Sequence, residues 1–325
     1  MIVLHDGDVP VPSTFSSVVA IGVFDGLHLG HQRVIAKVRR MADDRDALAM
    51  VVTFDPHPAW VLAPDRAPLL LGTIEQRLEG FEALGIDRVR ILHFDSDLAG
   101  ESAVGFIERV LIDELRAVQI VVGRDFRFGH DREGDVSLLE AQGAQRGFKV
   151  FAAPIYGAAA RWSSTVVRRA LADGDLELAN ATLGRPFVLR GTVVHGDARG
   201  GDLGFPTANL ELGEHQQVPQ TGVYAGAARV AGSWWPAAIS IGTRQQFYEH
   251  GALLVEVNLA GFDGDLYAAT LDVAFLGRLR DQTAFAGVPQ LVTQIELDVE
   301  QSLEIFKKFS PESSALIEWN FGQRR

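Results

Sequence analysis

The hydrophobic rhythm of this 325-residue chain changes near residue 184, and that change limits its possible folds more than any other feature. Before it, five short apolar runs recur: SVVAIGVF, ALAMVVTF, RVRILHF, VQIVVG and KVFAAPI. Runs this apolar suit strands covered on both faces, as in a parallel sheet. The segments from about His31, Thr73, Ser102 and Asp135 carry spaced apolar residues and few breakers, as crossover helices must. Residues 1–184 therefore read as an open α/β domain.

After LADGDLELANATLGRP the pattern becomes alternating, β-branched and punctuated by glycine, in FVLRGTVVHG, GVYAGAARV, PAAISIG, ALLVEVNLA and YAATLDVAFL. Strands of this kind with no helices between them predict an antiparallel barrel or sandwich over residues 185–325, closed by a helix from about Pro289 to Phe309. The short join Gly184-Arg185-Pro186 separates the two.

The net charge of -12 opposes a broad electrostatic grip on nucleic acid or an anionic membrane, either of which needs a basic face. Any phosphate site must then be local, built from a few Lys, Arg or His residues, backbone amides and a divalent cation, with magnesium the expected one. The absence of cysteine excludes disulfides, thiolate catalysis and cysteine-based metal centres. The opening MIVLHDGDVPVP lacks the basic end and apolar stretch of a signal peptide, and no apolar run approaches the ~20 residues of a membrane span, so cytoplasm is the expected location.

The stretch Gly22-Val23-Phe24-Asp25-Gly26-Leu27-His28-Leu29-Gly30-His31 ends a buried strand in a glycine-rich turn and opens a helix. Loops at strand C-termini are where open α/β sheets bind ligands. The helix start offers unpaired amides and a positive dipole end to a phosphate, and the histidines add donors or charge beside it. The spacing is neither a Walker loop nor GxGxxG; it is HxGH. Alone, such a pair is better explained by one capping and one solvated histidine.

Three further stretches sit at strand ends or helix starts. Thr53-Phe54-Asp55-Pro56-His57-Pro58 follows the second strand as a rigid turn. Gly123-Arg124-Asp125-Phe126-Arg127-Phe128-Gly129 follows the fourth, with aromatics suited to stacking on a flat ring or to core packing. Trp162-Ser163-Ser164-Thr165-Val166-Val167-Arg168 reads as a capped helix start with Arg168 one turn in, able to stabilise charge on a transferring phosphoryl group.

HxGH resembles the signature of the nucleotidylyltransferase superfamily. GVFDGLHLGHQ, TFDPHP, GRDFRFG and SSTVVR together resemble, in order and spacing, the adenylyltransferase module of bifunctional riboflavin kinase/FMN adenylyltransferases, over essentially the whole first half. The resemblance implies a Rossmann-like nucleotidylyltransferase fold. It implies ATP phosphate contacts from His28 and His31, a nucleotide site lined by Gly22, Phe24 and Gly26, and completion of that site by Ser164, Thr165 and Arg168. Phe54, Asp55, Asp125, Phe126 and Phe128 would fall at the FMN and adenosine pocket.

In the second half, the segment 196–209 joins a glycine-rich loop to a Thr and an Asn two residues apart, which share one face if extended. Hydroxyl and amide oxygens suit a magnesium ion that keeps water and phosphate ligands. A long hairpin connection is the plain alternative. The intact Pro206-Thr207-Ala208-Asn209 resembles the PTAN motif of riboflavin kinases. By that resemblance Thr207 and Asn209 would contact magnesium, Gly196, Arg199 and Gly204 would lie along ATP, and Glu256 would be the catalytic base. Arg280 and Phe285 would form a flavin-side lid, and the fold would be a small β-barrel.

The second half also departs from the pattern. Ser240-Ile241-Gly242-Thr243-Arg244-Gln245-Gln246-Phe247 stands where NIGxxPTF is usual, Gly201-Asp202 where a basic and a hydroxyl residue are usual, and Ala268 where a glycine follows DLY. An aspartate beside an ATP phosphate loop weakens phosphate binding unless magnesium or Arg199 compensates. The expected function is FAD synthesis in two steps: riboflavin and ATP give FMN and ADP, then FMN and ATP give FAD and pyrophosphate. Two alternatives are an adenylyltransferase with a degenerate kinase half, and a non-catalytic flavin or nucleotide sensor. Small molecules are the expected partners, and a homo-oligomer is compatible with the sequence.

Overall fold

A computed structural model describes residues 1–8, 11–12, 14–154, 156–157, 162–196, 204–243 and 253–309. The chain divides into two compact units, one formed by Met1–Pro68 with Ile74–Ser163, the other by Leu69–Thr73 with the residues from Ser164 onward.

The first unit is a parallel six-stranded sheet in the order β1-β4-β3-β2-β5-β6, with β1 at Ile2–Leu4, β2 at Ser17–Ile21, β3 at Leu48–Asp55, β4 at Arg88–His93, β5 at Ala117–Gly123 and β6 at Lys149–Ala153. Every residue of β2 is buried, as a central strand covered on both faces requires. Val19, Ile21, Met50, Val52, Ile120 and Val122 share one core with Ile107, Val110 and Leu111. The five apolar runs are five of these strands. The sixth, β1, pairs with β4 over three residues, too few to show a period in the sequence.

The crossover helices start where expected. Helix α1 spans Leu29–Asp43, α2 is the short Pro58–Leu62, α3 is Ile74–Ala83 and α4 is Ser96–Gly100. Helix α5, Ala103–Phe106, begins after Ser102, whose side chain accepts from the Gly105 amide, and continues as a π-helical stretch, Ile107–Glu114. Helix α6, Val136–Arg146, is capped in the same way by Asp135. The strand order reverses between β2 and β5. The loops after those two strands, which carry HxGH and GRDFRFG, therefore flank the crevice where such sheets take ligands.

The second unit opens with α7, Ser164–Ala172, and α8, Leu176–Leu183, followed by β7, Phe187–Val194; β8, Ala208–Leu212; β9, Gly222–Val230; β10, Ser233–Thr243; β11, Leu253–Leu259; and β12, Thr270–Arg280. The strands close into an antiparallel barrel, β10-β11-β8-β7-β12-β9, and α9, Val288–Lys308, follows them. Strand β8, which holds the end of PTAN, joins the five strands legible as alternating runs. Val167, Leu171 and Leu183 pack into the barrel core with Leu189, Tyr224, Ile239, Val257 and Phe275, so α7 and α8 fold with the barrel.

Candidate functional site

The HxGH segment is built from the ring of His28 outward. His28 is the N-cap of α1, and its Nδ1 accepts from the Gly30 amide at 3.1 Å and the His31 amide at 3.4 Å. The amides expected to be open to an anion are thus taken by an imidazole. With Nδ1 an acceptor, the neutral ring carries its proton on Nε2. The ring lies so close to residue 30 that a Cβ there would stand 3.0 Å from Cε1 and 3.1 Å from Nδ1, which is why the intervening residue is glycine.

His31 stacks on His28 with ring centroids 3.6 Å apart. Burial, and then the neighbouring His28, hold its pKa well below the ordinary histidine value, and its Nδ1 is buried without a partner among the described residues. Phe24, in the left-handed region at φ 55°, is buried and meets His31 edge-on at 5.2 Å and Phe81 of α3 at 5.6 Å. Gly22 borders the Phe24 ring, and Gly26 lies in the buried turn Asp25–Leu27.

No motif marks Arg77, yet its side chain is only 3% exposed and its Nη1 donates to the carbonyls of Val23 (3.0 Å) and Phe54 (3.3 Å) and to Thr53 Oγ1 (3.3 Å). It joins the HxGH loop to the TFDPHP loop. Asp55, half-exposed, stands 3.8 Å from its guanidinium. Burial lowers the Arg77 pKa, against the pull of Asp25, Asp55 and Glu75. Only the tertiary structure reveals this residue, because a single Arg on a helix face carries no sequence signal.

In the TFDPHP loop, His57 caps α2 through an Nδ1 contact with the Ala59 amide, and Phe54 meets Phe94 edge-on at 5.8 Å. After β5, Phe126 and Phe128 stack at 5.3 Å and are packed against the α/β core, with Phe106 5.8 Å from Phe128. Asp125 is exposed. A Cβ at Gly129 would come 2.6 Å from the Ala103 backbone, so this end of GRDFRFG is glycine for close approach.

In the second unit, Ser164 and Thr165 are the first residues of α7, and Arg168 Nε donates to the Leu69 carbonyl at 2.6 Å. The register of the barrel brings three residues of the kinase-like pattern into one row. Ser240 of β10 pairs with Glu256 of β11, and Glu256 pairs with Asn209 of β8. Their strand neighbours Ile239, Ile241, Val255, Val257, Ala208 and Leu210 line the barrel core, so the row lies on the outer face. Asn209 is nevertheless buried, and a Cβ on Gly196 would collide with its amide.

Thr207 directly precedes β8, and Asn258 Nδ2 holds the carbonyl of Pro206 at 2.9 Å; Asn258 is a further residue the sequence did not mark. Gln282 Nε2 donates to Ser240 Oγ and to the Ile241 carbonyl, each at 3.0 Å.

Arg280 pairs with Asp298 of α9 through Nε and Nη2, the latter at 2.7 Å, and lies 5.6 Å from the Phe285 ring. Gly204 is exposed in a turn at φ 85°. Arg199, Gly201-Asp202 and the segment 244–250 lie outside the described residues. Among the described residues no group of three or more His, Cys, Asp or Glu could hold a metal, and no helix is long and apolar enough to cross a membrane.

Two family models match the chain: FAD synthetase over residues 12–166 and riboflavin kinase over residues 183–306. A bifunctional riboflavin kinase/FMN adenylyltransferase of Pseudomonas fluorescens is 41% identical over 290 residues, covering 89% of this chain and 92% of that protein. Proteins of the same name from Bacillus subtilis, at 35% identity, and Escherichia coli, at 37%, cover 89% and 90% of the chain and 92% and 94% of their own lengths. A solved structure, named as a macrolide-efflux protein of Streptococcus pneumoniae, superposes with a TM-score of 0.84 at 32% identity, covering 93% of this chain and 99% of its own.

Proposed function

The chain belongs to the bifunctional riboflavin kinase/FMN adenylyltransferase family, and on that premise we propose how its residues divide the synthesis of FAD. The chain is an enzyme, converting riboflavin to FMN with ATP and then FMN to FAD with a second ATP. The observation that carries the assignment of the second step is the cap on α1. His28 Nδ1 accepts from the two amides that open α1, which fixes the imidazole across the helix start where an ATP phosphate is expected.

In that step a phosphate oxygen of FMN attacks the α-phosphorus of ATP as the bond to pyrophosphate breaks. His28 donates to the phosphate, and His31, kept neutral by burial, backs it without competing charge. The family pattern adds Ser164, Thr165 and Arg168, with Arg168 stabilising the developing charge. Phe54, Asp55, Asp125, Phe126 and Phe128 border the flavin and adenosine end.

In the kinase half, Glu256 takes the proton of the ribityl 5′-hydroxyl as its oxygen attacks the γ-phosphorus of ATP and ADP leaves. Its place beside Asn209 in the sheet register supports this role. Thr207 and Asn209 offer neutral oxygen donors, which fits a magnesium ion that keeps phosphate and water as its other ligands. Bound there, the ion neutralises charge on the ATP phosphates. Gly196, Arg199 and Gly204 border the same nucleotide, and Arg280 with Phe285 borders the flavin.

We set the functional boundary at residues 184 and 185, next to the start of the riboflavin kinase match at 183. A demand for ATP in both steps supports a cytoplasmic protein acting on free riboflavin, FMN and ATP. Resolving the flavins after incubation with Mg-ATP tests the whole reading. FAD from both riboflavin and FMN is expected; FAD from FMN alone would leave a degenerate kinase half, and no new flavin from either would defeat the assignment.

A further inference from the structure

Helix α3 carries no motif, but two of its residues one turn apart, Arg77 and Phe81, lie beneath the adenylyl-transfer loops. Phe81 is fully buried and supports Phe24, which in turn meets His31. Arg77 takes the Val23 carbonyl in the loop after β2, and the Thr53 hydroxyl and Phe54 carbonyl at the end of β3. Val23 leads into HxGH, and Phe54 into the Asp55-Pro56 turn. The Nη1 group of one buried guanidinium therefore helps set the spacing of the two loops, beside the direct bond from Thr53 Oγ1 to the Val23 carbonyl at 3.1 Å.

The surroundings show that this is more than a buried packing residue. The nearby carboxylates are Asp25, Asp55 and Glu75, and the Nε of Arg77 is buried without a partner among the described residues. A guanidinium taken out of water this far is costly, so an apolar side chain would serve packing alone at least as well. Meanwhile burial keeps His31 neutral, so that imidazole brings no fixed charge to a phosphate in a protein of net charge -12. A buried Arg directly behind the loop supplies what is lacking, because it cannot lose its proton at physiological pH.

We infer that Arg77 is a positioning residue for FMN adenylylation: it holds the HxGH and TFDPHP loops in register and sets a fixed positive charge behind the ATP phosphates. The inference rests on the adenylyltransferase reading given above. Lys in its place keeps the charge but ends one bond short of Nη1 and lacks the planar group that aims the Nη1 donors at the three acceptors. Ala removes both.

The test uses the full chain, whose two activities report on each other. Arg77→Ala and Arg77→Lys are assayed for FAD formation from FMN and, in the same preparations, for FMN formation from riboflavin. Displacing a reacting group by about 1 Å costs on the order of a hundredfold in rate. Arg77→Ala is expected to lower kcat for FAD formation by about that factor and to raise KM for ATP, with the kinase rate within about twofold of the parent and partial recovery of FAD formation in dilute guanidinium. Arg77→Lys is expected to keep KM for ATP near the parent while kcat falls about tenfold.

FAD formation at the parental rate in either variant overturns the inference, as does a loss in Arg77→Ala that dilute guanidinium deepens instead of relieving. If Arg77→Ala does not fold, the KM-against-kcat split in Arg77→Lys decides. A parent protein that makes no FAD from FMN would instead defeat the adenylyltransferase reading itself.

Discussion

Ala268 adopts φ 60°, in the left-handed region that glycine occupies without cost, at the position where the DLY pattern usually continues with glycine. Its amide bonds the Val193 carbonyl at 3.0 Å, so the turn is held despite the side chain. A non-glycine residue in this conformation costs roughly 1–2 kcal/mol, partly offset by the stiffer unfolded chain of alanine. Ala268→Gly should therefore raise stability by about 0.5–1 kcal/mol, read as an increase in the denaturation midpoint. His31 makes a second prediction at this scale. Its folded pKa lies below the unfolded value of about 6.5, so as pH falls through that value the unfolded chain gains a proton the folded chain refuses, and stability drops. A pH series of melting curves should show a shallower fall below about pH 6.5 for His31→Asn than for the parent. Equal slopes would mean that His31 titrates normally.

Among the elements, α9 is pinned to the barrel by Arg280 and Asp298, with Gln294 also donating to Asp298 and Ser302 bonding its carbonyl. The Asp298 side chain is 6% exposed and that of Arg280 21%, so removing the carboxylate strands a mostly buried cation. Asp298→Ala should cost about 2–3 kcal/mol, less than the roughly 3–5 kcal/mol of a fully buried pair because water still reaches part of the guanidinium. Chemical denaturation followed on the barrel's Trp234 and Trp235 would measure it. Helix starts at this scale were legible from local chemistry: Ser102 and Asp135 each cap the helix that follows them. Strand β1 was not legible, because three residues contain no full period and its existence depends on the edge of β4 being open to it.

At the scale of the molecule, two cores are assembled from different stretches of chain, one around β2, β3 and β5 and the other inside the barrel. Two chemistries on separate cores should be separable by mutation. Glu256→Gln should lower FMN formation from riboflavin by at least about a hundredfold, as general-base contributions of that size predict, and leave FAD formation from FMN within about twofold. Parallel loss of both rates would tie the two sites together. The sequence by itself determined the two-part architecture, the five apolar strands and the order of the motifs, since these depend on side-chain period and on residues near one another in the chain. Tertiary structure alone decided that Glu256 stands between Ser240 and Asn209, because barrel register joins residues dozens of positions apart. It also decided that α7 and α8 pack with the barrel, and that Arg77 bridges Val23 and Phe54. Such contacts arise when separate segments converge on one core, and no local pattern of residues records that convergence.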